Sequence, residues 1–165
     1  VSIRTVAAEA GISTGSLRHV FPSKADLLVH ATELVGRRAQ GRIEGHLHEP
    51  DPRALVLAVI KELLPLDAER RAEMEVNVAL VAEAPGDERV KEVLDVAHAT
   101  VRDACRHMVA HLHRAGLTAP DLDVEGATTF LHGLVDGLAI HMLVNPDPAF
   151  ERQALRMIET AIDGL

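Results

Sequence analysis

Apolar residues recur every three or four positions through most of this 165-residue chain, which is the spacing of amphipathic helices. The pattern predicts six long helices separated by short breaks that contain proline, glycine or aspartate. Their expected ranges are 24–47, 52–64, 69–84, 88–115, 123–144 and 149–165. No stretch alternates as a strand would, and no repeat or low-complexity tract interrupts the pattern. The predicted fold class is therefore all-α.

The predicted helix at 123–144 is apolar on almost every side. One stripe contains Ala127, Phe130, Leu131, Leu134 and Leu138, and another contains Gly133, Gly137, Ile140 and Val144. A helix that is apolar all round must be buried all round, and in so small a body this requires a second chain. With the following helix it predicts a four-helix bundle across a dimer axis. The expected interface residues are Gly133, Gly137, Ile140, Leu155, Ile158 and Ile162.

Two short helices and a tight turn are predicted at the start of the chain. Ser2 and Ser13 are N-cap residues, and Gly11 can end the first helix in the left-handed conformation. Such a pair is either an ordinary helical hairpin or a helix-turn-helix. The outward residues of the second helix favour a helix-turn-helix over an ordinary hairpin, because small hydrogen-bond donors come first along the helix and longer donors follow. These residues, Thr14, Gly15, Ser16, Arg18 and His19, suit an approach to the major groove.

Three motifs in this region, Val6-Ala-x-x-Ala-Gly-Ile-Ser13, Gly15-x-Leu17 and Phe21-Pro-Ser-Lys24, resemble the TetR family of bacterial transcriptional repressors. The LacI family shares the first motif. It lacks the Phe-Pro-Ser-Lys continuation, however, and has a longer α/β domain for which this chain has no room. The stretch from Leu134 to His141 also resembles one common in the next-to-last TetR helix. The resemblance implies a DNA-binding domain at 1–47 and a ligand-binding and dimerisation domain at 48–165.

The sequence departs from the family pattern at two points. Family members have a helix before the motif, whereas this sequence begins at Val1. We therefore expect a preceding helix that covers Val6, Leu17 and Phe21. Arg18 stands where many members have a tyrosine that contacts phosphate, and an arginine can make that contact with a full charge and several donors.

The resemblance implies a homodimer on double-stranded, near-palindromic operator DNA, with recognition helices about 34 Å apart. Bases would be met by Thr14, Gly15, Ser16 and His19, and phosphates by Ser2, Arg4, Arg18 and Lys24, with Ser13 capping the recognition helix. The net charge of −8 opposes DNA binding at first sight. However, residues 1–47 carry six basic and four acidic residues, so the remainder holds a net charge of −10. This asymmetry would orient the molecule on DNA.

A small-molecule pocket among the middle helices is a further implication of the resemblance. Its lining should be aliphatic, because the chain has three Phe and neither Trp nor Tyr, and the expected ligand is apolar. The candidate residues are Asn77, His98, Val101, Cys105, Met108, His111, Phe130, Leu134 and His141. The polar members are equally compatible with capped or half-exposed side chains.

No cofactor, metal site or catalytic group is predicted. His107 and His111 have the i, i+4 spacing of zinc ligands, but the glutamate of a zinc protease is missing after His107. No Glu-x-x-His motif of di-iron proteins occurs, and the nearest spacing is Asp95-x-x-His98. The single cysteine, Cys105, excludes an internal disulfide and fits a reducing compartment. With no secretory signal and no apolar run of roughly 20 residues, we expect a bacterial cytoplasmic protein, nucleoid-associated when bound to DNA.

The function predicted from the sequence is that of a repressor whose body binds a ligand and thereby favours a conformer unable to hold DNA. The alternative is a helical dimer that carries or sequesters an apolar molecule without DNA. A helical metalloenzyme is disfavoured by the missing carboxylate–histidine spacing.

Overall fold

A computed structural model describes residues 2–165, and within them it contains eight α-helices and no β-strand. The helices are α1 Ile3–Glu9, α2 Thr14–Val20, α3 Lys24–His46, α4 Pro52–Glu62, α5 Ala68–Glu83, α6 Glu88–Arg114, α7 Val124–Val144 and α8 Pro148–Asp163, with a 3₁₀ turn at Ala84–Gly86. The all-α prediction is confirmed. Every end of the six long helices lies within two residues of its predicted position.

The helices begin where short polar side chains accept hydrogen bonds from the first turn. Serine or aspartate is the N-cap of all eight: Ser2, Ser13, Ser23, Asp51, Asp67, Asp87, Asp123 and Asp147. At the start of α3 the cap is reciprocal, because Asp26 Oδ2 accepts from the Ser23 backbone N–H at 3.0 Å. These contacts satisfy N–H groups that have no partner within the helix. Local chemistry alone therefore sets the helix starts.

The main core lies between α4, α6, α7 and α8. Its fully buried side chains include Ile60, Leu64, Val109, Leu112, Leu131, Val135 and Ile158. The aliphatic core expected from composition is found, since no phenylalanine among the described residues is buried. Cys105 is also buried here, and burial together with the Asp136 carboxylate raises the pKa of its thiol to about 11. At neutral pH this cysteine is an inert packing residue.

A second, smaller cluster joins the start of α3 to the body. Ala25 and Leu28 of α3 pack with Leu80 at the end of α5, with Ala84, and with Val90 at the start of α6. Leu80 and Val90 are fully buried. The long helix α3 therefore belongs to both ends of the molecule, as its apolar periodicity suggests.

Helix α7 buries one face and leaves the other open in the single chain. Ala127, Leu131 and Leu138 are buried, whereas Ile140 is 41% exposed and Val144 is 77% exposed. Gly133 and Gly137 lie on the same exposed face. The chain by itself therefore does not cover this helix on every side.

By length and composition α7 is also apolar enough to cross a membrane, with a mean hydropathy of 1.4 over 18 residues. The expectation that the chain holds no such run was wrong. A helix buried in a bundle core passes the same test, however, and eight α7 residues are buried. Packing within the chain accounts for the apolar residues on the buried face of α7, whereas Phe130, Ile140 and Val144 stay exposed.

Candidate nucleic-acid interface

The helix-turn-helix is built by α1, a glycine turn and α2. Gly11 has a φ of +66°, a conformation open to glycine at little cost, and it turns the chain between the helices. Ala7, 1% exposed, and Leu17, 6% exposed, are the buried residues of the two helices. Val6 and Phe21, the other residues expected to need cover, are half-buried. The small side chain of Ala7 leaves room for α2 to pack against α1.

The outward face of α2 carries the residues predicted to approach DNA. Gly15, Ser16, Arg18 and His19 are exposed, and Thr14 is half-exposed. Ser13 Oγ accepts a hydrogen bond from the Ser16 backbone N–H at 3.0 Å. The structure thus places these polar side chains together on one face of a helix that begins with a capped, positively polarised end.

Two of the predicted phosphate-binding cations are free. Within residues 2–165, neither Arg4 nor Arg18 makes an ion pair, and both side chains lie on exposed positions. Ser2 caps α1, where its Oγ accepts from the Thr5 N–H at 3.2 Å. An arginine with no intramolecular partner keeps all its donors for a phosphate.

Lys24, the third predicted phosphate-binding cation, has an intramolecular partner. Its Nζ is paired with the carboxylate of Glu83 at the end of α5, so a phosphate would compete with Glu83 for this cation. Two residues later, Asp26 accepts a hydrogen bond from Arg89 of α6 at 2.8 Å. The Ser23 hydroxyl and then Arg89 hold the pKa of Asp26 below its ordinary value. These two pairs tie the start of α3 to the body.

The other end of α3 is held by a half-buried ion network. Arg37 and Arg38 are exposed on α3, whereas Arg42 is half-buried. The Arg42 guanidinium donates to both oxygens of Glu73, at 3.0 and 2.7 Å, and to Glu62 at 2.8 Å. Glu73 is 8% exposed, and this forked geometry is the strong form of the arginine–carboxylate contact.

Glu62 is the centre of this network. Besides Arg42, its carboxylate contacts His46 Nε2 at 3.0 Å and Arg70 at 3.1 Å. Burial alone would raise the pKa of Glu62, but hydrogen bonds from His46 and Arg42 and the charge of Arg70 outweigh burial and lower it. Glu62 therefore stays ionised and joins α3, α4 and α5.

Sequence reasoning did not identify Glu62, Glu73, Glu83 or Arg89 as connecting residues. Lys24 and Glu83 are 59 positions apart, and Asp26 and Arg89 are 63 apart. No local pattern marks such pairs, because each member reads as an ordinary surface charge until the helices pack.

The predicted ligand residues do not converge on one cavity. Cys105 and Met108 are buried in the main core, with Val101 and Leu134 packed against it. Asn77, His98, Phe130 and His141 are exposed, and His111 is half-exposed. In the single chain these nine residues therefore differ in burial, and their shared role in a ligand pocket stays a prediction.

Two clefts lie elsewhere. One of about 190 Å³ is formed at the α7–α8 loop, with Arg71, Met142 and Glu151 in its walls. The other, about 450 Å³, lies between the end of α2, the first turns of α3 and the start of α6, where Phe21, His30 and Arg89 contribute. Neither contains any of the nine predicted residues. The second cleft borders the contacts that position α3.

Together, a helix-turn-helix with an exposed polar face and a helical body joined to it through α3 define a DNA-binding regulator of the all-α class. Residues 1–31 match the family model for bacterial regulatory proteins of the tetR family. Residues 52–165 match that for the C-terminal domain of BetI-type transcriptional repressors. The chain belongs to the TetR family of transcriptional regulators, as the N-terminal motifs predicted.

Relatives of known sequence or structure match this chain over almost its whole length. The HTH-type transcriptional regulator PksA of Bacillus subtilis (strain 168) is 31% identical over 165 residues, which cover 99% of this chain and 79% of that protein. A transcriptional regulator from Rhodococcus sp. Rha1 matches with a TM-score of 0.76 at 27% identity, covering 99% of this chain and 88% of that one. The family is one of regulators, typically cytoplasmic, and not of enzymes.

A second solved structure shares the fold. It is a transcriptional regulator from Saccharomonospora viridis in complex with choline, with a TM-score of 0.86 at 23% identity, and it covers 99% of this chain and 85% of that one.

Proposed function

We propose that this protein is a repressor that binds a near-palindromic operator as a homodimer and leaves it when a small apolar molecule binds the body. The observation that carries the DNA-binding part is the exposed face of α2. Arg18 has no partner there within the described residues, and the helix begins with the small residues Thr14, Gly15 and Ser16. We take residues 1–47 as the DNA-binding unit and 48–165 as the ligand-binding and dimerisation unit.

In this proposal the start of α2 enters the major groove. Thr14, Gly15, Ser16 and His19 approach base edges, while Arg4 and Arg18 bind phosphates. Ser2 and Ser13 are retained as contacts through their exposed hydroxyls. Lys24 contributes only if the phosphate displaces Glu83, so its role is the weakest of the set.

The dimer part is supported by the uncovered stripe of α7. Phe130, Ile140 and Val144 are 54%, 41% and 77% exposed in one chain. A Cβ atom added at Gly133 or Gly137 would meet nothing within 4 Å, so neither glycine is required by packing inside the chain. We infer that both permit close approach of a second α7. From α8, Met157 is 42% exposed and Leu155 is partly buried, whereas Ile158 and Ile162 are each 2% exposed and belong to the chain's own core.

Release by a ligand requires that the body moves the recognition helices. Helix α3 is anchored at its start by the Lys24–Glu83 and Asp26–Arg89 pairs and at its end by the Arg42 network. A displacement of α5 or α6 must therefore tilt α3. A ligand that binds the tilted conformer more tightly draws the population away from DNA.

The ligand is proposed to be apolar and to enter among α6 and α7, where Val101, Met108 and Leu134 would line it once the helices separate. The Saccharomonospora viridis neighbour binds choline. Quaternary ammonium groups favour aromatic cages, and this chain offers three Phe and no Trp or Tyr. A neutral apolar ligand fits that composition better. The protein would then act in the cytoplasm, on the nucleoid while bound to DNA.

The test is fluorescence anisotropy of the protein on DNA upstream of its own gene, against scrambled DNA, at two salt concentrations. Selective binding that weakens as salt rises is expected, because phosphate contacts release counterions. Apolar compounds are then screened for release. If the protein binds no DNA even at low salt, the repressor proposal is wrong, and the alternative of a dimer that carries an apolar molecule is favoured.

A further inference from the structure

Two histidines and a carboxylate meet where α6 and α7 pack together. His98 of α6 and His132 of α7 have ring centroids 4.6 Å apart. Asp136 lies one turn beyond His132, with its Oδ2 3.3 Å from His132 Nε2. One possible ligand atom from each of the three lies within 4.8 Å of the other two, and no other such group of three occurs among residues 2–165.

His132 is an unusual residue for a bundle interior. It is 6% exposed, and its Nε2 is buried without a hydrogen-bond partner. Asp136 is within ion-pair range of this nitrogen, but the alignment does not make a hydrogen bond. A buried ring nitrogen without a partner is a costly feature that a folded chain rarely keeps without a reason. The nitrogen faces the carboxylate that completes the cluster.

We propose that His98, His132 and Asp136 form a binding site for a divalent first-row transition metal, with Zn²⁺ as the ion that suits them best. Imidazole nitrogen and a single carboxylate are ligands that zinc accepts, and three protein ligands leave a fourth position for water. The ion would use the free nitrogen of His132.

The geometry requires only small side-chain movements. Zn–N bonds of about 2.0–2.1 Å place tetrahedral ligand atoms about 3.4 Å apart. His132 is held by packing, whereas His98 is exposed and the Asp136 side chain is 52% exposed. The two exposed groups can therefore rotate onto the ion while His132 stays in place.

The bound ion would cross-link α6 to α7, because His98 comes from one helix and the other two ligands from the next. The site is separate from the His107 and His111 pair, whose i, i+4 spacing first suggested zinc. Those two histidines lie further along α6 and have no third ligand near them within the described residues. The inference does not depend on DNA binding.

The experiment is a Co²⁺ titration of the untagged protein, followed by visible absorption and by displacement with Zn²⁺. One equivalent of metal per chain is expected. His98→Ala and Asp136→Asn, both at exposed positions, should each bind at least about tenfold more weakly. The double variant His107→Ala/His111→Ala is the matched control, and it should bind as the unaltered protein does.

Thermal melting provides the second readout. Zn²⁺ should raise Tm for the unaltered protein and the control, since an ion that binds only the folded state stabilises it. The rise should be lost in His98→Ala and in Asp136→Asn. The proposed site would be wrong if His98→Ala and Asp136→Asn bind metal as well as the unaltered protein does. It would also be wrong if the control variant loses binding, or if the unaltered protein binds no stoichiometric metal.

Discussion

Arg18 and Arg42 are the same residue type in opposite surroundings. Arg18 is exposed on α2 with no intramolecular partner in the described chain, whereas Arg42 donates to Glu62 and Glu73 and its own pKa is raised above the ordinary value, mainly through Glu73. The first side chain is available to DNA, and the second is committed to the fold. A charge pattern along the sequence does not distinguish them, because the distinction rests on which helices lie nearby.

Arg18→Ala is expected to weaken operator binding about tenfold, the effect of losing one charge-assisted hydrogen bond. It should also reduce the slope of log affinity against log salt by about one, since one phosphate contact is lost. Anisotropy over a series of salt concentrations measures both quantities. Arg114→Ala, at an exposed position at the end of α6, is the control and should change neither. Unaltered affinity in Arg18→Ala would remove Arg18 from the phosphate contacts.

Glu62 should contribute a pH-dependent part of the free energy of unfolding. Its pKa in the folded protein is below the ordinary 4.5, so the unfolded chain takes up the proton more readily. The contribution is therefore complete above about pH 4.5 and is lost as pH falls through the lowered value.

Urea unfolding between about pH 3 and pH 7 tests this dependence. Glu62→Gln should be less stable than the unaltered protein at neutral pH, and the difference should shrink as the pH falls. Glu75→Gln, exposed on α5, should follow the unaltered protein throughout. A stability difference that does not change with pH would show that the Glu62 charge is not responsible.

At the scale of elements, α3 connects the helix-turn-helix to the helical body. Its first turns pack against Leu80 and Val90, and its last turns hold the Arg42 network. The boundaries of α3 were predictable, because Ser23 and Asp26 form a capping box that can be recognised in the sequence. Its partners were not, since no local signal specifies that Glu73 of α5 faces Arg42.

Glu73→Gln should lower the free energy of unfolding by about 2 kcal/mol, because Arg42 would then face a neutral group in a half-buried site. Thermal and urea unfolding measure the loss. The matched control is Glu33→Gln on α3, whose partner Arg37 lies 4.0 Å away with both side chains about 60% exposed. That change should stay within about 0.5 kcal/mol. Equal effects of the two substitutions would contradict a structural role for the Arg42–Glu73 pair.

At the scale of the whole molecule, the uncovered face of α7 lies in the acidic part of the chain, and the DNA-facing helices lie in the part with a net charge of +2. A dimer formed through α7 would hold two such DNA-binding ends. The spacing of its recognition helices is then set by how closely the two copies of α7 approach. In the proposed dimer, Gly133 and Gly137 would set this distance, because neither has a side chain that keeps the partner helix away.

Gly137→Leu should convert the dimer to a monomer without unfolding it. A side chain at this position meets nothing within 4 Å in its own chain, and leucine has a higher helix propensity than glycine. Sedimentation velocity measures the change in mass, and circular dichroism checks that helicity is kept. Operator affinity should fall together with dimerisation, because each half-site is then bound alone.

Gly41→Leu is the control for that substitution. Gly41 is also helical, exposed and free of neighbours within 4 Å, but it lies on α3. The dimer should persist in this variant. A Gly137→Leu protein that sediments as a dimer would place the interface on another surface.

The sequence by itself determined the helices, their ends and the family. Capping by serine and aspartate, the left-handed Gly11 and the 3.6-residue apolar period act within a few positions of one another, so they can be recognised before any packing is known. The helix-turn-helix was predictable for the same reason, since all of its residues lie within a short stretch at the start of the chain.

Only the tertiary structure decided which polar residues meet. The packing of helices that are distant in sequence brings these residues together. It pairs Lys24 with Glu83 and places Arg42 between Glu62 and Glu73. It also places His98 beside His132. Helix packing also buries Ile158 and Ile162 in the core, whereas one stripe of α7 stays exposed. Periodicity identifies that a helix has an apolar face, but the direction of that face depends on how the helices pack.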